Sequence, residues 1–269
     1  MKNQNNNIKI SKETLDICKH KKYTSPSGKV VDLSFQLNFS KEKTILYEDL
    51  ISIELTHKVN SFIEVRNETT AEGALRLLNQ GKKDIVALNF ASARNPGGGF
   101  LNGAVAQEED LCRCSGLYHC LKSKPIFYNK NILCDDTYYN NDIIYSPNVP
   151  FFRDINNLLL EDPFMVSIIS APAPNIRVMK EVDEGRLQSI LNTRVLKILQ
   201  IAYIHNHKNL ILGAWGCGAF GNKPEMVVSA FIEALKIFPA FEHVCFSVFD
   251  SKPEMHTFNT FNKIGRAHV

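Results

Sequence analysis

The sequence lacks several features that define large classes of proteins. It contains no uninterrupted apolar run near the roughly 20 residues that a membrane-spanning helix requires, so no membrane association is expected. Its 31 basic and 28 acidic residues leave a net charge of only +3, which is too small an excess to indicate nucleic-acid binding. It also contains no P-loop, no H-E-x-x-H motif and no G-x-S-x-G motif, so the chemistries of those motifs are not indicated.

Cysteine is scarce, and its seven residues are an odd number. No charged and then apolar signal segment opens the chain, and Met1 to Asn7 is rich in asparagine. We therefore predict an intracellular protein, cytoplasmic or nuclear, with free thiols. One cluster, Cys112-x-Cys114-x₄-His119-Cys120, resembles a set of metal ligands. Two cysteines at i and i+2 of a helix point to opposite sides, so we expect no metal and no cofactor.

The composition and the pattern of apolar residues predict an α/β fold. The chain is 44% hydrophobic and 22% charged, as globular domains are. Short apolar runs alternate with amphipathic stretches, which predicts a mixed or parallel sheet flanked by helices. The expected strands cover 61–65, 84–90, 164–169, 209–215 and 243–249, and the expected helices cover 70–79, 187–202 and 224–238.

The ends of the chain differ from this alternating body. We expect a disordered tail over 1–7, a helical N-terminal extension over 8–57 with Ser11 as a helix cap, and a catalytic domain over 58–262. Residues 263–269 follow no pattern and are expected to be a non-native tail. The stretch 122–157, rich in Tyr, Asn and Pro, is expected to be a long ordered loop.

Two glycine clusters follow predicted strands, where ligands bind in open α/β sheets. The first is Asn95-Pro-Gly97-Gly98-Gly99. Consecutive glycines expose backbone N–H groups to an anion, although a plain flexible turn remains the alternative. The second, 213–221, contains Gly216, Gly218 and Gly221 in the pattern G-x-G-x-x-G. A nicotinamide-binding domain would need several more strands after it, which disfavours an oxidoreductase, but its amides suit a pyrophosphate.

Two adjacent carboxylates follow the first cluster. Seven residues separate Gly99 from Gln107-Glu108-Glu109, which is expected to open a helix that runs toward Leu121. A bare Glu-Glu pair is most often a solvated helix face, but its place beside a phosphate-type loop favours a site. Adjacent residues lie about 100° apart on a helix, so they do not form the usual two-carboxylate glycosidase pair. A single glutamate that acts first as acid and then as base suits this spacing better.

Taken together, these motifs resemble one known family. The spacing GGG-x₇-QEE over 97–109 resembles the signature of poly(ADP-ribose) glycohydrolases, and several further segments resemble the microbial-type branch. These segments are 13–28, 89–99, 145–154, 171–175 and 213–222, so the similarity covers roughly 8–262.

The resemblance implies a macrodomain that hydrolyses the ribose–ribose O-glycosidic bond of poly(ADP-ribose), working from chain ends and releasing ADP-ribose. It implies that Glu109 is the catalytic acid/base, that Glu108 and Gln107 help to hold the ribose, and that Phe220 packs on the distal ribose. It implies a substrate-binding set of Asn89, Asn95, Gly97, Gly98, Gly99, Gly216, Cys217, Gly218, Ala219 and Gly221, in which the two glycine loops bracket the diphosphate and the two asparagines contact the ribose or shape a loop.

The partners implied are poly(ADP-ribose) and ADP-ribosylated proteins, with no sequence-specific nucleic-acid binding. Two alternatives remain open at this point. One is a module that binds ADP-ribose without cleaving it, and the other is a hydrolase of mono-ADP-ribosyl linkages. Both would use a pocket of the same shape, so the glycine loops alone do not distinguish them.

Overall fold

The computed structural model describes residues 2–48, 52–134 and 136–264. Its helices are α1 (Lys2–His20), α2 (Ser34–Glu42), α3 (Thr70–Asn79), α4 (Gln107–Cys114), α5 (Leu117–Leu121), α6 (Pro125–Leu133), α7 (Glu184–Ile204), α8 (Pro224–Ile237) and α9 (His256–Phe261). Its strands are β1 (Lys22–Thr24), β2 (Val30–Asp32), β3 (Ile45–Tyr47), β4 (Phe62–Arg66), β5 (Ile85–Phe90), β6 (Ile143–Arg153), β7 (Leu159–Ala171), β8 (Asn209–Leu212) and β9 (His243–Ser247). Short 3₁₀ turns cover Phe100–Asn102 and Ile176–Val178.

A seven-stranded mixed sheet lies at the centre, in the order β3-β6-β7-β5-β8-β9-β4. Strand β6 runs antiparallel to both of its neighbours, and the strands from β7 to β4 are parallel. Side chains alternate between the two faces of a strand. In β5, Val86 and Leu88 therefore join the core under α7 and α8, while Ile85 and Ala87 join the core under α3 to α6.

This topology determines where a ligand can bind. The carboxyl ends of β4, β5, β7, β8 and β9 meet at one edge of the sheet, because these strands are parallel. Open α/β sheets bind ligands beyond that edge. Both glycine loops follow strands of this set, so the predicted α/β class is confirmed and both loops lie at the same edge.

Most of the predicted elements in the body of the chain are confirmed within a few residues. Helix α3 has the predicted bounds, and a capping box joins Thr69 and Glu72 at its start. Gly81, at φ +77°, follows its end. These signals are local, so they do not depend on tertiary packing. The helix expected from Gln107 toward Leu121 is instead divided into α4 and α5 at Ser115 and Gly116.

The expectation of a long loop over 122–157 is wrong. This stretch contains α6 and the eleven-residue strand β6. Prolines normally argue against a strand, because they cannot donate to the ladder. Here the register shifts between Ser146 and Val149, and Asn148 adopts φ +46° at that point. This irregularity accommodates Pro147 within an otherwise paired strand.

The predicted boundaries at both ends also need correction. Residues 2–7, expected to be disordered, form the first turns of α1. Ser11 lies inside this helix and does not cap it. The extension 8–57 is not purely helical, since β1 and β2 form a hairpin and β3 joins the main sheet. At the other end Ile264 is buried in the core, while 265–269 lie outside the described residues.

No helix within the described ranges combines the length and apolar character needed to cross a membrane.

Candidate active site

A cleft of about 670 Å³ lies beyond the carboxyl ends of the parallel strands. Its walls are the start of α3, one face of α4, the second glycine loop (213–222), and the segment 247–252 after β9. A volume of this size is typical of small-molecule sites. The exposed ring of Phe249 lines one end of the cleft, and Phe90, Ala106 and Gln107 line the wall nearest the glutamates.

The second glycine loop is held by hydrogen bonds to the end of β7 and the residues that follow it. The indole N–H of Trp215 donates to the carbonyl of Ala171 at 2.8 Å, and the ring is fully buried. Gly216 has φ +75°, and a Cβ there would lie 2.4 Å from the Cβ of Ala173. The Asn222 amide donates to the carbonyls of Pro174 and Gly216. The loop is thus fixed at both ends, and a glycine at position 216 is required for the close approach.

The tip of this loop has its carbonyls tied to protein and its N–H groups free. Arg177 donates to the carbonyls of Ala219 at 2.9 Å and Gly218 at 3.1 Å. The Phe220 carbonyl accepts from the N–H groups of Ile176 and Arg177. Within the described chain the N–H groups of residues 218, 219 and 220 have no protein acceptor, and all three residues line the cleft. Successive amides of this kind suit an anion.

Cys217 and Phe220 also line the cleft. Burial raises the pKa of the Cys217 thiol to about 12, so it is not a thiolate at neutral pH. The Phe220 ring lies 6.3 Å from the ring of Tyr139, which supports it from the side. Gly221 has φ +78°. The predicted residues of the second loop therefore lie together in one wall of the cleft, except Gly221, which does not line it.

The first glycine loop (95–99) folds around the two glutamates. The Gly99 N–H donates to Oε1 of Glu109 at 2.7 Å. Gly98 has φ +56°, and a Cβ there would lie 2.4 Å from Oε1 of Glu109 and 3.2 Å from Oε2 of Glu108. Both carboxyl groups therefore lie against Gly98. In the sequence, seven residues separate the glycines from Gln107. In the fold, the Gly99 N–H and the Glu109 carboxyl are within hydrogen-bond distance.

Glu108 is the more deeply buried carboxyl, with 3% of its surface exposed. It accepts from the Ser92 N–H at 2.7 Å and from the Asn89 amide at 3.3 Å. Burial raises its pKa to about 8, and the neighbouring Glu109 charge adds to this, although the hydrogen bonds partly oppose it. The raised pKa favours the protonated form of Glu108, while Glu109, 8% exposed, lies nearer the surface.

Gln107 is engaged within the protein. Its Oε1 accepts from the Phe90 N–H, and its Nε2 donates to the Leu88 carbonyl and the Thr70 hydroxyl. It joins the start of α4 to the end of β5. Asn89 is fully buried and bonds Ser170 as well as Glu108. Gln107 and Asn89 therefore position the start of α4 and the Glu108 carboxyl.

Asn95 and the three glycines of the first loop do not line the cleft. Asn95 is exposed, its N–H donates to the Ser92 hydroxyl, and its carbonyl accepts from Gly98. Since the Gly99 amide is engaged by Glu109, it is not free for a ligand in this structure. The expectation that both loops bracket one diphosphate stays a prediction, and of the two loops only the second lines the cleft in this structure.

The cysteines of the suspected metal cluster lie apart. Cys112 lies beside Gly97, Cys114 Sγ donates toward the Asp154 carbonyl, and Cys120 lies against Ser40 and Thr44. The described residues contain no group of three or more His, Cys, Asp or Glu side chains arranged to hold a metal.

Two residues that shape the site were not predicted from the sequence. Arg177 holds the carbonyls of the second loop, and Ser92 supplies the N–H that faces Glu108. Ser92 lies only three residues after Asn89, just beyond the end of β5, so its place near the site could have been predicted from the sequence. Arg177 lies about 40 residues from the loop it holds, and nothing in the local pattern connects them.

Residues 11–154 match the family described as microbial-type PARG, catalytic domain, and this range includes the first glycine loop and both glutamates. A search of curated proteins gave no match. The crystal structure of poly(ADP-ribose) glycohydrolase from Thermomonospora curvata is 37% identical, with 97% of this chain and 99% of that chain covered and a TM-score of 0.90.

Two further structures are similar. The Thermomonospora enzyme bound to the inhibitor ADP-HPD is 37% identical, with 96% and 99% coverage and a TM-score of 0.89. The enzyme from Deinococcus radiodurans in complex with ADP-ribose is 38% identical, with 85% and 96% coverage and a TM-score of 0.75.

The seven-stranded mixed sheet and its flanking helices define a macrodomain-like α/β fold. More particularly, the chain belongs to the family of microbial-type poly(ADP-ribose) glycohydrolases.

Proposed function

We propose that this protein hydrolyses the ribose–ribose O-glycosidic bond of poly(ADP-ribose) from chain ends and releases ADP-ribose. Membership of the family supports the reaction. The observation that carries it is the pair of carboxyl groups gathered against Gly98, beside a cleft with free amides on its opposite wall. ADP-ribosylated proteins are the expected carriers of the polymer, and no sequence-specific nucleic-acid binding is proposed. The seven unpaired cysteines suit a reducing cytoplasm or nucleus.

In this proposal the diphosphate binds to the second glycine loop. The free N–H groups of 218–220 attract its charge, and Phe220 packs against the distal ribose. The adenosine points toward Phe249, whose exposed ring suits stacking against a purine. The distal ribose then reaches the wall of Phe90 and Ala106, next to the glutamates.

Glu109 is the proposed general acid and base. Its helix neighbours Ala106 and Asp110 line the cleft, while its own carboxyl lies against the first glycine loop and does not line it. In this proposal the Glu109 side chain turns away from the Gly99 N–H to reach the scissile bond. The protonated carboxyl gives its proton to the leaving ribose oxygen as the C–O bond breaks. The resulting carboxylate then takes a proton from the water that attacks the anomeric carbon.

Glu108 and Gln107 support this step in different ways. Burial raises the pKa of Glu108 to about 8, which disfavours a second full negative charge beside Glu109, and in this proposal Glu108 helps to hold the ribose. Gln107, whose amide is bonded to β5, holds the start of α4 rather than the sugar. The developing positive charge on the sugar is stabilised by the bound diphosphate.

The test compares wild type with Glu109→Gln on purified poly(ADP-ribose). We expect release of ADP-ribose to fall about 10³-fold, because the amide has no proton to transfer. ADP-ribose should bind both proteins equally by calorimetry. Glu181→Gln, at an exposed glutamate, serves as the matched control and should keep full activity.

Other results would reject parts of the proposal. If neither protein releases ADP-ribose while both bind it, the protein is a binding module. If only mono-ADP-ribosylated protein is cleaved, the linkage is different. If long internal fragments appear before ADP-ribose, cleavage does not start at chain ends.

A further inference from the structure

Helix α1 presents a stripe of four hydrogen-bond donors to the segment that carries the glutamates. The stripe consists of Gln4, Asn7, Ser11 and Thr14, spaced by three, four and three residues, which places them on one face of a helix. Gln4 donates to the carbonyl of Asn102, Asn7 to Gly103, Ser11 to Phe100 and Thr14 to Arg113, at 3.1, 3.3, 2.8 and 2.9 Å.

All four acceptors are main-chain carbonyls at the two ends of one segment, 99–113. Three belong to the 3₁₀ turn and Gly103, just after the first glycine loop, and the fourth lies near the end of α4. Hydrogen bonds from side chains to main-chain carbonyls fix the backbone itself, and they do not depend on which side chains that segment carries. The stripe therefore holds the segment before and after the glutamates.

The close approach of α1 requires a glycine on the opposite side. Gly103 has φ +72°, and a Cβ there would lie 2.5 Å from the carbonyl oxygen of Gln4. Without a side chain, the backbone at 103 packs directly against the first turns of α1. These are the turns that contain the asparagine-rich stretch.

A short chain of bonds links the stripe to the Glu109 carboxyl. The Asn102 and Ala104 N–H groups donate to the Gly99 carbonyl at 2.9 and 3.2 Å, and the N–H of the same Gly99 donates to Glu109 at 2.7 Å. Arg113, itself buried, donates to the Ala104 carbonyl at 2.7 Å. The 3₁₀ turn is thus held by α1 on one side and meets the carboxyl on the other.

We propose that the donor stripe of α1 is a positioning device for the catalytic segment, with Asn7 and Ser11 as positioning residues for Glu109. None of the four stripe side chains lines the cleft, so they act without touching substrate. The inference rests on the proposed role of Glu109 and adds that the N-terminal helix determines where its carboxyl lies. Misplacement of a catalytic group by about 1 Å can cost on the order of 10²-fold in rate.

The test is the double variant Asn7→Ala with Ser11→Ala in the full chain. We expect kcat on poly(ADP-ribose) to fall about tenfold, while KM and the Kd of ADP-ribose change less than twofold. The pH profile of kcat should also shift, because the hydrogen bond from Gly99 to Glu109 is altered. A merely structural role would lower the melting temperature without moving that profile.

The matched control is Asn5→Ala with Ser40→Ala. Asn5 is exposed on the same helix with no bonded partner among the described residues, and Ser40 is a buried hydroxyl on α2 that donates to the Leu37 carbonyl. This pair removes the same atoms away from the catalytic segment. Wild-type kcat and pH profile in the control, with loss in the stripe variant, support the inference.

Asn7→Ala alone keeps the experiment decisive if the double variant does not fold, since Asn7 is only half-buried. An unchanged kcat in that folded variant, or equal losses in variant and control, overturns the positioning role. Failure of the proposed function is seen separately, as an active Glu109→Gln enzyme. An inactive Glu109→Gln together with a fully active stripe variant rejects this inference alone.

Discussion

The two glycine loops are alike in composition and opposite in what their backbone does. In the first loop the N–H groups turn inward, and that of Gly99 donates to the carboxyl of Glu109. In the second loop Arg177 holds the carbonyls of residues 218 and 219, which leaves the amides at the tip free. The first loop thus contacts carboxyl groups of the protein itself, whereas the second loop has free amides that suit a bound anion. Glycine gives the backbone of both loops its conformational freedom, but the hydrogen-bond partners of each loop determine which backbone groups remain available.

The largest effect that separates the loops is expected from Gly98→Ala. Gly98 has positive φ, and the new methyl group would lie 2.4 Å from the Glu109 carboxyl. We expect a loss of about 1–3 kcal/mol in the free energy of unfolding. The displaced carboxyl should lower kcat on poly(ADP-ribose) about 10²-fold. Urea unfolding and ADP-ribose release measure the two effects.

Gly218→Ala is the matched change in the second loop. A Cβ at 218 meets nothing within 4 Å, and its φ is not positive. We expect the free energy of unfolding to change by less than about 0.5 kcal/mol and the Kd of ADP-ribose to weaken by less than about threefold. Equal damage from both alanines would contradict the difference drawn between the loops.

A second contrast is the response of stability to pH. Burial raises the pKa of Glu108 to about 8, so the folded protein keeps a proton that the unfolded chain loses near pH 4.3. The stability that this proton contributes is complete below that lower value and is lost as the pH rises to 8. The slope is at most about 1.4 kcal/mol per pH unit.

Glu108→Gln should flatten this slope, since the amide does not titrate. Urea unfolding between pH 5 and 8.5 measures it in wild type and variant. Gly218→Ala is the control and should keep the wild-type slope, because the Cys217 thiol in that loop has its pKa raised to about 12. An unchanged slope in Glu108→Gln would mean that Glu108 is already ionised in the folded protein.

An effect smaller than that of Gly98→Ala is expected from Arg177→Ala. Its two bonds to loop carbonyls keep the tip of the second loop in one orientation. We expect the Kd of ADP-ribose to rise about tenfold, equal to about 1.4 kcal/mol, and kcat at saturating polymer to fall much less. Lys180→Ala, an exposed residue of the same region, should have no effect on calorimetric binding. A loss confined to kcat would assign Arg177 to catalysis instead.

Prediction from sequence succeeded where the signals are local and failed where distant segments meet. Helix α3 has a capping box and a glycine stop, so its bounds follow from neighbours in the chain. Strand β6 was not predicted because it contains prolines. A shift in the register of its pairing with β7 accommodates Pro147. The first turns of α1 are rich in asparagine, a weak helix former, and gain bonds at Asn102 and Gly103 about 100 residues away.

For the candidate site, the sequence by itself determined the alternating fold, the two glycine loops at strand ends and the spacing from Gly97 to Glu109. Such features lie within one segment, and periodicity or spacing reveals them. Only the tertiary structure decided that Glu108 is the more deeply buried carboxyl, that Gln107 bonds the end of β5, and that Arg177 orients the second loop. Burial and hydrogen-bond direction depend on segments that meet only when the sheet and its helices are assembled.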